Sequence, residues 1–236
     1  MKTFKVLSAL LSYPSEALIE AAPEFVAVLD AEKLVPAANR AAIDALIEEI
    51  AAGDLYDLQE RYGLLFDRSK TLALHLFEHV HGESRDRGQA MVDLKAMYEN
   101  AGLFIAANEL PDFMPLFLEF LSIRPLSQAR ELLGQTAHIL AALAERLGRR
   151  ESSYKAVFDA LVAIAADAPR RDIVEELLKA PDTDPMDLAA LDAAWEEEEV
   201  RFGPGAQGQG ACSHDGLIAK LRHARRAVGP VPSQQQ

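Results

Sequence analysis

The feature that most constrains this chain is what its apolar residues do not do. No stretch alternates apolar and polar residues over a strand length between hairpin turn residues, whereas spacings of three and four recur along most of it. Phe4, Leu7, Leu10 and Leu11 set the pattern, and Phe113, Leu116, Phe117, Phe120 and Leu121 repeat it. The spacing predicts helices at 3–12, 15–30, 36–52, 54–66, 71–80, 85–106, 113–122, 126–148, 152–166, 171–180 and 186–197. Pro14, Pro36, Gly53, Gly82, Pro111, Pro125, Gly148, Pro169, Pro181 and Pro185 fall at or near the proposed breaks. Pro23 falls inside the second segment, where it is expected to kink or divide the helix. The expected fold is all-α: a single-domain bundle of about ten helices over residues 1–200. Residues 201–236, with GPGAQGQGA at 203–211, read as a linker and tail by composition.

Half of the 236 residues are hydrophobic, enough for a core without covalent staples. Cys212 is the single cysteine, so no intrachain disulfide can form. The apolar part of MKTFKVLSALLSYPSE is too short and too interrupted for a secretory signal, and no stretch approaches the ~20 apolar residues of a membrane span. A cytoplasmic protein without direct membrane insertion is expected. The formal charge is −13, although 217–236 holds four basic residues and no acid. Such a field repels nucleic acid and suits a basic or neutral partner. Within that tail, LIAKLRHARRAV (217–228) has the pattern of a short basic amphipathic helix that could dock on the chain's own binding surface.

Two stretches are denser in functional groups than a bundle needs. LALHLFEHVHGESRDRGQAM (72–91) carries His75, Glu78, His79, His81, Glu83, Arg85, Asp86 and Arg87. On a helix, Leu72, Ala73, Leu76, Phe77 and Val80 would fill one side, and His75, Glu78 and His79 the other. His75-Leu76-Phe77-Glu78-His79 also fits H-x-x-E-H, so a zinc hydrolase with Glu78 as general base is one reading. It lacks a nominated third ligand, and its known hosts are larger mixed α/β domains. A solvated polar side is the plain reading. NELPDFMPLFLEFL (108–121) places Glu109, Pro111, Asp112 and Phe113 just before an apolar helix, with Asp112 as an expected cap.

These stretches, together with LSALLSYPSE (7–16), LFDR (65–68) and the Trp195–Glu198 end, closely resemble the NarJ family of nitrate reductase molybdenum cofactor assembly chaperones, over about residues 3–202. The resemblance implies a TorD-like all-helical fold and a chaperone without catalytic activity or cofactor of its own. It implies binding of the apo catalytic subunit of respiratory nitrate reductase, partly through an N-terminal leader-like segment that binds as an amphipathic helix. Cofactor-insertion proteins are further expected partners, and docking to the membrane subunit would wait until insertion is complete. A helical adaptor for another molybdoenzyme is the alternative client reading. Broader relatives carry Glu-x-Pro-Asp-His; Glu109, Pro111 and Asp112 match, and Phe113 replaces the histidine. The twelve residues from His75 to Phe113 named above are thus the candidate client surface, and His75, His79 and His81 would make binding depend on pH.

Overall fold

A computed structural model describes residues 1–81, 85–105 and 109–182. Among them the chain forms ten α-helices: α1 (Lys2–Leu10), α2 (Glu16–Glu32), α3 (Ala37–Ala52), α4 (Leu55–Tyr62), α5 (Glu78–His81), α6 (Arg85–Asn100), α7 (Met114–Ser122), α8 (Leu126–Arg149), α9 (Lys155–Ile164) and α10 (Arg171–Leu178). The all-α expectation holds among the described residues. The helix expected at 186–197 and the tail lie outside them.

Local chemistry accounts for the boundaries. Ser15 Oγ accepts the Leu18 N–H at 3.3 Å and starts α2, which ends where Lys33 turns left-handed. Pro23 neither divides nor ends α2, which runs through it as one element. Asp54 Oδ1 accepts from the Tyr56 and Asp57 N–H groups and starts α4. The helix expected over 54–66 changes character after Tyr62: residues Gly63–Asp67 form a π-turn, closed by Arg68 N–H donating to Gly63 O at 3.0 Å.

The core is continuous. Phe4, Leu7 and Leu10 of α1 and Leu11 just after it are fully enclosed, as are Leu118 and Leu121 of α7, Leu133, Leu140 and Leu147 of α8, and Val157, Phe158 and Leu161 of α9. The closest pairings are α8 with α9, α1 with α7, α10 with α8, and α2 with α3. A buried hydrogen bond from Ser8 Oγ to Pro115 O, 2.7 Å, ties α1 to α7. Gly134 lets α8 meet the chain leaving α9: a Cβ there would lie 3.0 Å from Asp167 Oδ2 and 3.1 Å from its backbone nitrogen.

Two arginines, one exposed and one buried, hold helix ends. Arg130 Nε donates to Ile164 O, the last residue of α9, at 2.8 Å. Arg146, 3% exposed, donates to Leu177 O and Ala180 O at the end of α10 and to Thr71 O. Nearby, Asp182 accepts from Arg150 Nη2 at 2.5 Å and from Thr71 Oγ at 2.8 Å. The end of the described chain is therefore fastened to the 69–72 turn, at the foot of the histidine stretch. No described helix is long and apolar enough to cross a membrane.

Candidate functional site

The helix expected over 71–80 is not there. A single 3-10 turn covers Lys70–Leu72, the backbone then opens, and helix resumes only at Glu78. The reason lies across the fold. His75 forms an isolated antiparallel bridge with Phe113, in which Met114 N–H donates to Leu74 O at 2.7 Å and Leu76 N–H donates to Asp112 O at 3.1 Å. The two polar stretches thus meet and satisfy each other's backbone, and helix geometry over 73–77 would forfeit these bonds.

Asp112 is the centre of the junction and is fully buried. Its Oδ2 accepts the Phe77 N–H at 3.0 Å, and its Oδ1 lies 3.2 Å from His75 Nδ1. It does not cap α7, whose N-cap is Phe113, with Pro115 in the first turn. Tyr98 of α6, also enclosed, donates from its hydroxyl to Pro111 O at 2.8 Å and so holds the other side of the same loop.

The histidines diverge. His79 Nε2–H donates to Ala73 O at 2.8 Å, and burial, with Arg146 nearby, pushes its pKa down to about 4. It stays neutral at physiological pH and faces inward, contrary to the solvated side expected for it. His75 is partly exposed and packs on the Phe113 ring, centroids 5.4 Å apart. Its hydrogen bond to Asp112 raises its pKa against the opposing effects of burial and Arg87. Burial raises the pKa of Glu78, while Arg87 and His75 act in the other direction. Glu109 is exposed, and the neighbouring Leu110 is 46% exposed.

The structure therefore divides the candidate residues. His75, Glu78, Arg87, Glu109 and Phe113 lie at or partly at the surface, joined by Leu110. Asp112 is an internal brace, half-buried His79 turns its Nε2 inward onto Ala73 O, and Pro111 serves through its carbonyl. Glu83 and the side chains of His81, Arg85 and Asp86 lie outside the described residues. The zinc reading loses its helical premise: His75 and His79 turn to different partners, and no group of three or more metal-ligating side chains is assembled among the described residues.

Tyr98 and Arg146 escaped the sequence reading. Arg146 carried a signal, because it follows Ile139 and Leu143 at helical spacing and so falls within the apolar side of α8. Tyr98 carried none, since its apolar ring fits the core pattern and only the fold supplies Pro111.

Residues 32–160 match the family model described as the nitrate reductase delta subunit. The chain is 43% identical over 231 residues, 97% of its length and 94% of the relative's, to the nitrate reductase molybdenum cofactor assembly chaperone NarJ of Escherichia coli K12. It is 43% identical over 204 residues to that organism's probable assembly chaperone NarW, covering 86% of this chain and 84% of the relative. It is 30% identical over 181 residues to the probable chaperone NarJ of Bacillus subtilis, covering 75% and 96%. These relatives are named as assembly chaperones, not as catalysts. The chain belongs to the nitrate reductase delta subunit family.

Proposed function

We propose that this chain is a cytoplasmic assembly chaperone that binds the apo catalytic subunit of respiratory nitrate reductase. It takes the subunit's N-terminal leader-like segment as an amphipathic helix and holds the subunit ready for molybdenum cofactor insertion before membrane docking. Cofactor-insertion proteins act alongside it. Residues 1–200 are the chaperone domain and 201–236 an appended tail. The observation that carries the reading is the junction of the two polar stretches in a protein of this family. It brings His75 against Phe113, with Glu109 and Leu110 exposed a few residues before Phe113, which supports an apolar contact with an acidic border there. An apolar strip with an acidic border suits a basic amphipathic helix.

Calorimetric titration with a synthetic peptide of the catalytic subunit's N-terminus tests it. Binding in the micromolar range or tighter is expected, with no turnover. Glu109→Lys and Phe113→Ala should each weaken it severalfold while the helical circular dichroism stays unchanged. No heat in several buffers sinks the reading, and wild-type affinity in both variants moves the surface elsewhere. Between pH 6 and 8, His75 rather than His79 is the group to titrate, so His75→Gln should flatten the affinity profile and His79→Gln should not.

A further inference from the structure

Helix α6 reaches both polar stretches, one from each end. Near its start, Arg87 lies close enough to His75 and Glu78 to act on both electrostatically. Eleven residues on, roughly 16 Å along the helix axis, Tyr98 donates from its hydroxyl to Pro111 O at 2.8 Å. Ala90, Leu94 and Tyr98, spaced by four, are enclosed and seat the helix on the core. The Tyr98 ring packs on Phe120 of α7, centroids 4.8 Å apart.

The other polar end of Tyr98 closes the helix. Its carbonyl accepts the Ala101 and Leu103 N–H groups, both at 3.0 Å, and Gly102 turns the chain back with a φ of +80°. The chain leaving α6 and the chain entering α7 therefore meet on one residue. Pro111 has no N–H, so its carbonyl is the sole backbone group by which a neighbour can hold it. The carbonyls on either side are held as well: Leu110 O accepts the Phe113 N–H at 3.1 Å, and Asp112 O accepts the Leu76 N–H at 3.1 Å. Three successive carbonyls are thus fixed by three separate parts of the fold. A phenylalanine at position 98 would fill the same core space against Phe120. What the hydroxyl adds is a fixed place for Pro111, between exposed Leu110 and buried Asp112.

We propose that Tyr98 is a positioning residue for the client surface: through Pro111 it holds Leu110 and Phe113 in the arrangement that receives the client's leader-like helix. A surface fixed in advance loses little freedom when the helix binds, and that saving appears as affinity. The role rests on the chaperone reading above.

The test uses the full chain and a synthetic peptide of the N-terminus of the nitrate reductase catalytic subunit, titrated well below the unfolding midpoint. Tyr98→Phe keeps the ring and loses the hydroxyl; it should weaken the peptide roughly fivefold. In a Leu110→Ala/Phe113→Ala background the same change should have no further effect, because nothing remains to be positioned. Tyr62→Phe is the matched control. It loses a like bond, from the Tyr62 hydroxyl to Leu11 O at 2.8 Å, and should keep wild-type affinity. Without peptide, hydrogen exchange at the Phe113 amide should be faster in Tyr98→Phe than in wild type. Wild-type affinity in Tyr98→Phe overturns the proposal and leaves the chaperone reading intact. So does an equal fall in Tyr62→Phe, which would make the effect one of general stability, or an undiminished fall in the double-alanine background. Unchanged exchange at Phe113 overturns it too. Wild type that does not bind the peptide brings down the chaperone reading, and this proposal with it.

Discussion

Asp112 shows how a residue chosen for one role serves another. Beside Pro111 and ahead of an apolar helix it reads as a cap, and as an acid on a rim it reads as a client contact. In the fold it is enclosed, accepts the Phe77 N–H and faces His75. Asp112→Ala should therefore cost about 2–4 kcal/mol in urea unfolding, because a buried N–H loses its acceptor. Asp112→Asn keeps an acceptor for Phe77 and should cost less than half of that. Equal losses would show that the carboxylate charge, not the hydrogen bond, is what matters. The two histidines beside it should give opposite pH profiles. The pKa of His75 is raised in the fold, so its stabilising contact is fully present below about pH 6.5 and is lost as pH climbs through the raised value. The pKa of His79 falls from 6.5 to about 4, so the unfolded chain takes up its proton first, and stability is lost as pH drops through that interval, by up to about 3 kcal/mol. Unfolding measured from pH 5 to 8 should show His79→Gln losing less stability toward acid than wild type. It should show His75→Gln losing less toward alkaline pH. Parallel curves for all three proteins would refute the assignment.

At the scale of elements, most helices were legible because each satisfies its own backbone and needs only an apolar side to face the core. α1, α3, α7 and α8 fall within a residue or two of the spacing that predicts them. The segment over 71–80 failed because its apolar residues also suit an irregular buried stretch, and its backbone finds partners 38 residues away at Phe113 and its neighbours. The π-turn after Tyr62 was equally hidden, since Leu65 and Phe66 are buried in either register. Element packing also overrides helix preference at Gly134. Alanine there would gain up to ~1 kcal/mol of helix propensity. Its Cβ would press on Asp167, including a backbone nitrogen that cannot swing aside. Overpacking costs about 1–3 kcal/mol, so Gly134→Ala should lower the unfolding midpoint by several degrees. A raised midpoint would mean that α8 and the chain after α9 can separate freely.

For the whole molecule, the expected division near residue 200 has a direct test. Deleting residues 203–236 should leave the unfolding midpoint of the remainder unchanged; a clear drop would place the tail within the packed unit. If the basic 217–228 segment docks on the chain's own client surface, the same deletion should raise peptide affinity, and unchanged affinity would exclude that docking. The sequence by itself determined the helical class, the positions of most helices, the acidic character and the family, because these depend on periodicity, composition and local order along one chain. Only the tertiary structure decided which polar residues face outward. Asp112 is buried because a distant segment supplies its partners, and Arg146 is buried because the end of α10 and the 69–72 turn supply its acceptors. Those distinctions rest on hydrogen bonds between residues far apart in sequence, which no local pattern encodes.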